Sequence, residues 1–434
     1  MHSHWRSNKS QVIVLPLKGR AACTVFLSFA FAYLISYAFR SINAAIAPEL
    51  MNDLHLSNAQ LGLLSAAYFI GFGVTQIPVG LSLDRFGPRL TEMTLMIFAV
   101  VGALLFSWAD DFSSLVAARF FIGVGVSACL MAALSGFRVW YPLNQQAPLA
   151  SGMLVFGTSG ALLTSWPVHA VLPYLGWRGI FVGMSLLCLL AMAGIFFGLP
   201  IKSKISPHSE VGQDLQRGRA TFSWASYRPI LTNAFFWRVF PIGAFCYGGF
   251  IAIQTLWMGP WLIGVMEFST HEAAKILFCF NAVLLFAYVL NTFLLPRLAK
   301  HGLTTMRYLS VMVGAGLVFQ VCAFYLRTPW VWVWWYLFAF ACASYVLAQS
   351  LIVTYFPKSF AGRVSTSFNL ALFIGAFIVQ WGIGYLVDAG MQAGWPKKDA
   401  FDLALGIYLG AQALGYIWFL ISPKFFPSHP LPQD

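Results

Sequence analysis

Apolar runs long enough to cross a bilayer recur along this chain, and they constrain its fold more than any other feature. A helix of about 20 apolar residues spans a hydrocarbon layer about 30 Å thick. Only 9% of the residues are charged, whereas a soluble domain carries about 25%. Such a chain cannot present a charged surface to water. The sequence therefore predicts an all-α integral membrane protein with about twelve crossings.

The apolar runs divide into two sets of six predicted helices. The first set covers 21–47, 58–82, 90–109, 113–139, 148–174 and 179–199, and the second covers 234–264, 272–296, 306–326, 329–356, 363–388 and 401–422. We predict a tail over 1–20, a six-helix bundle over 21–199, a basic polar linker over 200–231, a second bundle over 232–422 and a tail over 423–434.

The positions of basic residues predict the orientation. If the N-terminus is cytoplasmic, most of the 26 Lys and Arg residues fall on cytoplasmic segments, as the positive-inside rule requires. The formal charge of +12 forms no patch with interleaved aromatic residues, so nucleic-acid binding is not indicated. We expect both termini in the cytoplasm and the protein in a bacterial inner membrane, working as a monomer.

An internal repeat relates the two sets of helices. A shift of about 215 residues places Gly87 on Gly302 and Arg85 on Lys300, each pair in the short basic loop after the second helix of its half. Two bundles of like topology usually place a substrate site near mid-membrane between the halves.

Two short motifs carry a family resemblance. After the second helix the chain reads Gly80-Leu-Ser-Leu-Asp84-Arg85-Phe-Gly87-Pro-Arg89. The fourth helix contains Arg119-x-x-x-Gly-x-Gly. These segments resemble the G-x-L-x-D-R-x-G-x-R and R-x-x-x-G-x-G signatures of the major facilitator superfamily. The resemblance implies two six-helix bundles that rock against each other in a secondary transporter.

The first motif also predicts a conformational latch. Gly80 and Gly87 are expected to accept positive φ in a tight turn. Asp84 can bind the N-terminus of a neighbouring helix or pair with Arg85, Arg89 or Arg138. The alternative is a charged turn that only fixes topology.

Arg40 in the first helix is the main candidate for substrate binding. None of the fourteen acidic residues is placed near the middle of a predicted helix, so no fixed acid answers this charge. A guanidinium offers a bidentate fork to a carboxylate or phosphate, which favours an anionic substrate. The alternative pairs Arg40 with backbone carbonyls, Asn43 or water. For Arg119, the sequence supports a substrate or gating role and a structural role equally.

Other polar or aromatic residues at comparable depth are further candidates for substrate contact or for helix-to-helix hydrogen bonds. They are Gln254, Trp257, Asn281, Tyr345, Gln349, Asn369 and Gln380. The Gly259-Pro260 pair predicts a bent helix end suited to an outer gate, although Trp257 and Trp261 fit interfacial anchors equally well.

Proton coupling lacks an obvious residue. His169 near the outer end of the fifth helix is one candidate. Otherwise the proton travels on the substrate, or on an acid at a helix end such as Glu92 or Asp388. All seven cysteines lie in apolar runs without a CxxC pair, so neither disulfides nor a metal or other cofactor is expected.

We predict a transporter that takes up a small organic anion with the proton gradient. An exporter of amphipathic compounds is the main alternative, with Phe373, Phe377, Trp381 and Tyr247 forming an apolar cavity. A receptor or scaffold has little support because the loops are short. The sequence holds no HExxH, P-loop or catalytic-triad pattern, so an enzyme is not indicated.

Overall fold

Helices account for nearly all of the described chain. The computed structural model describes residues 17–142, 145–200, 227–357 and 360–425, and these residues contain no strand. Eleven helices are long and apolar enough to cross a membrane, and a shorter apolar helix, Pro148–Leu163, joins them. The all-α membrane fold predicted from the sequence is confirmed.

The helices of the first half are α1 (Gly19–Ser41, continued by Asn43–Leu54), α2 (Asn58–Leu83), α3 (Arg85–Trp108), α4 (Phe112–Trp140), α5 (Gln146–Leu163 and the start of Trp166–Gly198) and α6 (the rest of that segment after the kink at Gly176). Those of the second half are α7 (Ala234–Gly264), α8 (Thr270–Lys300), α9 (Thr305–Tyr325), α10 (Val331–Tyr355), α11 (Ala361–Gln392) and α12 (Lys397–Phe425). We call the membrane face where α1 begins the terminal face and the opposite one the distal face.

The two halves repeat each other in their turns and caps. Gly87 between α2 and α3 has φ of 76°, and Gly302 between α8 and α9 has φ of 79°. Helix α2 begins with a capping box at Ser57, and α8 begins with one at Ser269. These conformations support the internal repeat, because positive φ and a capping box each require particular residues.

The motif after α2 is described only in part. Gly87 adopts the predicted positive φ, but Gly80 stays helical with open space beside it, so the prediction for Gly80 is wrong. The side chain of Asp84 and residues 201–226 lie outside the described part of the chain, and the predicted latch stays a prediction. The predicted linker ends in a short helix, Arg228–Leu231.

The basic residues proposed as partners of Asp84 occupy different positions. Arg85 is exposed and lies 5.1 Å from the Phe86 ring centroid. Arg89 donates a hydrogen bond to the Phe196 carbonyl at 2.5 Å, which ties the start of α3 to the end of α6. Arg138 is exposed in the last turn of α4.

Helix α7 is distorted in its centre and not at Gly259-Pro260. Two π-helical stretches, Ile242–Gly248 and Ile253–Trp257, interrupt it, whereas Met258–Gly264 is regular α-helix. The predicted break at the Gly-Pro pair is therefore wrong. Short π-helical turns are rare and frequently accompany functional sites.

Glycine allows α2 and α4 to touch through their backbones. A Cβ atom at Gly123 would lie 2.1 Å from the Tyr68 carbonyl oxygen, and one at Gly71 would lie 2.2 Å from that of Phe120. Neither oxygen can move without separating the two helices. Gly123, the first glycine of the second motif, therefore permits a direct backbone contact between α2 and α4.

We expect Gly123→Val to destabilise the protein by about 1–3 kcal/mol, the usual cost of overpacking. Thermal unfolding of the purified protein in detergent measures the effect. The matched control is Gly183→Val in α6, where an added Cβ meets nothing within 4 Å. Equal melting temperatures for the two variants would contradict the close packing of α2 on α4.

Candidate functional site

Arg40 lies beside the middle of α2 and forms no ion pair with an acid of the described residues. Its guanidinium carbon is 4.5 Å from the centroid of the Tyr37 ring and 5.6 Å from that of Phe72, which stands near the middle of α2. The side chain is partly exposed, and its Nε atom is buried without a hydrogen-bond partner. Among the described residues, no carboxylate lies within salt-bridge distance of Arg40. Its positive charge is therefore stabilised by aromatic faces and not by an ion pair.

Tyrosines from both halves lie within electrostatic range of this guanidinium. The electrostatic neighbours of Arg40 are Tyr68, Tyr37 and Tyr33. On the side of the second half, Tyr247 of α7 and Tyr288 of α8 lie within electrostatic range of Arg40 and of each other. We call these five residues the tyrosine cage. It offers hydroxyl groups as hydrogen-bond partners around one fixed positive charge.

The sequence spacing indicates that two of the five cage tyrosines lie next to Arg40. Tyr33, Tyr37 and Arg40 are spaced four and three residues apart, so they share one face of α1. Tyr247 belongs to a π-helical stretch of α7, and no pattern within the first half indicates that it meets Arg40. Our sequence analysis considered Tyr247 only as part of an apolar cavity and missed the other four tyrosines.

Asn43, the side chain considered as an alternative partner of Arg40, is hydrogen-bonded to another residue. Asn43 donates its side-chain hydrogen bond to Ser65 Oγ at 2.6 Å. Tyr68 donates to the Ser36 carbonyl at 3.3 Å, which holds its hydroxyl beside Arg40. Neither arrangement neutralises the guanidinium, so the site remains positively charged.

Arg119 is fully buried in α4 and braces α1. Its Nη1 donates to the Phe39 carbonyl at 2.9 Å, and the guanidinium carbon lies 5.2 Å from the Phe106 ring and 5.4 Å from the Phe181 ring. Its Nε and Nη2 atoms have no hydrogen-bond partner. Because Phe39 directly precedes Arg40, Arg119 positions the segment of α1 that carries the cationic site.

Most of the other predicted substrate contacts bond to one another. Gln254 donates to Asn281 at 2.7 Å, and Gln380 donates to Thr255 at 3.2 Å. Gln349 donates to Ser365 at 2.9 Å and to Asn369 at 3.1 Å. The Tyr345 hydroxyl is buried without a partner and faces Gly316 in α9. These side chains hold helices together, and only Gln254 and Asn281 also line a small cavity next to Ser41.

The tryptophans of α7 are core residues. Trp257 is fully buried and donates its indole N–H to the Gln380 carbonyl at 2.8 Å. Trp261 is also fully buried and packs against Trp335 and Phe324. The interpretation of both as interfacial anchors is therefore wrong, because neither reaches the membrane surface.

The two halves are bonded together on the distal side of Arg40. Asp388, near the end of α11, accepts hydrogen bonds from the backbone N–H groups of Asn58 and Ala59 at 3.1 and 2.7 Å, and from the Asn58 amide at 2.8 Å. This carboxylate of the second half thus caps the N-terminus of α2 in the first half, where the helix dipole favours negative charge. We call these contacts the distal latch.

A histidine pair forms a second contact between the halves, apart from the distal latch. The His169 ring of the first half lies 6.0 Å, centroid to centroid, from the His271 ring of the second. His169 also lines a cavity of about 70 Å³ that includes Glu49 and Gly259. The sequence places His169 near the distal end of α5, and the structure adds its partner from α8.

Glu92 is buried inside the first half. Its side chain is completely inaccessible, and neither carboxyl oxygen has a hydrogen-bond partner. Our sequence analysis placed Glu92 at a helix end on the cytoplasmic side and found no acid within the membrane. Glu92 does lie near the terminal end of α3, seven residues after Arg85, but its carboxyl is buried within the bundle, so the expectation that the bundle holds no buried acid is wrong.

The aromatic residues expected to form an exporter cavity are dispersed. Phe373 is buried against Phe72 at 4.7 Å, between α11 and α2. Trp381 packs beside Phe377 but is 41% exposed on the outside of the bundle. Tyr247 belongs to the tyrosine cage. Trp381, on the outside, therefore does not line a central cavity with Tyr247.

The sequence is similar to known membrane transporters. The sequence model of the Major Facilitator Superfamily matches residues 29–380. The protein described as "Probable L-galactonate transporter" of Escherichia coli K12 is 24% identical over 93% of this chain and 90% of its own length. The "Hexuronate transporter" of the same strain is 29% identical over 47% of this chain and 49% of its own length.

The fold is also similar to solved structures. A bacterial homologue of the human lysosomal transporter Spinster superposes with a TM-score of 0.76 at 16% identity, covering 94% of this chain and 98% of the other. A D-xylose-proton symporter superposes with a TM-score of 0.73, also at 16% identity and with the same coverage. Because the sequence identity is only 16%, these superpositions establish a shared fold and nothing further.

Proposed function

Because this chain belongs to the major facilitator superfamily and is a membrane transporter, we propose that it takes up a small organic anion by alternating access. The substrate is a carboxylate or a similar acid, and the proton gradient drives its entry. Relatives that are described as carrying galactonate and hexuronate support this substrate class.

One observation carries the proposal: Arg40 is a solitary cation in a site that both halves build. A buried charge is costly and is retained where it has a function. The guanidinium fork matches the two oxygens of a carboxylate. Tyrosine hydroxyls from α1, α2, α7 and α8 stand close enough to bind the rest of a hydroxylated molecule.

The charge of the site favours a monovalent anion. Within the described residues, Arg40 is the sole cation that a ligand in the tyrosine cage could contact, because Arg119, although it is also within electrostatic range of Tyr68, is fully buried and bonded to the Phe39 carbonyl. A dianion such as a phosphate monoester would keep one uncompensated negative charge in a low-dielectric site, which is unfavourable. We therefore propose monocarboxylates that carry hydroxyl groups.

Orientation and coupling complete the proposal. The distribution of Lys and Arg supports a cytoplasmic terminal face, so the latched distal face would be external and the site would be reached from the cytoplasm. His169 is a candidate for proton coupling, because it lies at the seam between the halves beside His271. The exporter alternative loses support, since its four aromatic residues are dispersed.

Ligand screening tests the function. We expect hydroxylated monocarboxylates to raise the melting temperature of the purified protein, whereas amino acids, phosphate esters and cationic drugs leave it unchanged. Uptake of the stabilising acid into proteoliposomes should increase when a pH gradient, acid outside, is imposed. Stabilisation by cationic amphiphiles alone would contradict the proposal and favour the exporter.

A further inference from the structure

Glu92 is a buried carboxyl group that the anion site does not use. It lies five residues after Gly87, about 7 Å along α3, and its side chain is completely inaccessible. Neither of its oxygens has a hydrogen-bond partner. Ionisable residues inside a membrane bundle are rare, and they commonly mark ion or proton pathways.

Among the described residues, no cation is an electrostatic neighbour of Glu92. The group facing it from α4 is the thiol of Cys129, behind which lies Cys188 of α6. On its own helix, Arg85 stacks on Phe86, and Arg89 is bonded to the Phe196 carbonyl. An unpaired carboxylate is strongly disfavoured in such surroundings.

Helix α4 connects Glu92 with the anion site. Helix α4 is interrupted after Val126, and its second segment begins at Cys129. Ten residues earlier, about 15 Å along a helix, Arg119 holds the carbonyl of Phe39 next to Arg40. At such a separation, a unit charge in a protein interior can still change the affinity of a site for another charge about fivefold.

We propose that Glu92, and not His169, is the proton-binding site of this transporter, loaded in the conformation described here and emptied when the anion leaves. Release breaks the O–H bond of the carboxyl and transfers the proton to water on the terminal side, without oxidation or reduction. An anion on Arg40 cancels a nearby positive charge and thereby favours the protonated carboxyl. By linkage, proton and anion then strengthen each other's binding. The assignment rests on the proposed uptake of an anion with protons.

Proteoliposome transport separates coupling from translocation. With radiolabelled L-galactonate as probe, Glu92→Gln should lose accumulation driven by a pH gradient about tenfold or more. It should retain exchange of labelled for unlabelled probe without a gradient, because the amide mimics a permanently protonated carboxyl. Asp399→Asn, at an exposed acid in the first turn of α12, is the control and should keep both activities. Gradient-driven accumulation by Glu92→Gln at the wild-type level would overturn the assignment.

A measurement without substrate distinguishes a failure of the proposed anion uptake from a failure of the proton site at Glu92. Infrared difference spectra between acid and alkaline pH should show a protonated carboxyl band in wild type that is absent from Glu92→Gln. If this band titrates while wild type exchanges no L-galactonate, the substrate proposal fails and the proton site stands. A band that never titrates makes Glu92 a structural acid and overturns the site. If Glu92→Gln does not fold, wild type treated with a carbodiimide should carry a pH-dependent adduct on Glu92, and a pH-independent yield would overturn the site.

Discussion

Replacing Arg40 by alanine should abolish binding of an anionic substrate while the protein still inserts into the membrane. Each hydrogen bond to a charged group contributes about 1.5–3 kcal/mol, so losing a bidentate pair should weaken binding about 100-fold or more. Arg40→Lys keeps the charge but loses the planar fork, and we expect an intermediate loss of about tenfold. Isothermal titration calorimetry on wild type and both variants measures these differences.

The matched control for Arg40 is Arg238 in α7. Arg238 donates to the Phe419 carbonyl at 2.9 Å and lies 4.9 Å from the Phe419 ring. It is therefore also a membrane arginine that rests on an aromatic face, but it lies outside the tyrosine cage. Arg238→Ala should leave the affinity unchanged. An anion that binds equally well to Arg40→Ala and to wild type would exclude Arg40 as the anion site.

Removing the carboxylate of Asp388 should open the distal side of the carrier. The latch consists of three hydrogen bonds to a charged acceptor, two of them from backbone N–H groups at the N-terminus of α2. Losing one such bond costs about 1.5–3 kcal/mol, so Asp388→Ala should shift the equilibrium between the two states about tenfold or more. Asp388→Asn keeps one acceptor oxygen and should shift it less.

Spin labels across the distal face report this shift. His55 and Gln392 are exposed at the distal ends of α1 and α11, in opposite halves. Pulsed electron resonance between labels at these positions should show a longer distance in Asp388→Ala than in wild type. Asp399→Asn in α12, an exposed acid of the same half, is the control. Identical distances in all three proteins would show that Asp388 does not hold the gate.

The sequence alone determined the membrane fold and identified one residue of the candidate site. Segments of about 20 apolar residues must form helices in a bilayer, because only a helix satisfies its own backbone groups there. The predicted ends of α7 at 234 and 264 coincide with those of the structure. Arg40 was predictable for a similar reason, since a charge within such a segment needs a function whatever surrounds it.

The sequence was less informative about side chains that bond between helices. Gln254, Asn281 and Gln380 were equally compatible with substrate contact and with structural hydrogen bonds. Which one holds depends on the rotation of each helix about its axis and on the partner it meets. The structure pairs Gln254 with Asn281 and gives Gln380 to Thr255. A local sequence pattern specifies neither the rotation of a helix about its axis nor the residue that its side chain meets.

Tertiary packing decided the composition of the site and the burial of its acids. The register of α1 placed Tyr33 and Tyr37 beside Arg40, but Tyr247 arrives from the other half of the chain and only docking of the halves brings it there. The sequence placed Glu92 at a helix end and contained no sign of its burial. Glu92 is buried because α4 and α6 cover α3 at that level, and burial depends on packing between helices that are distant in the sequence.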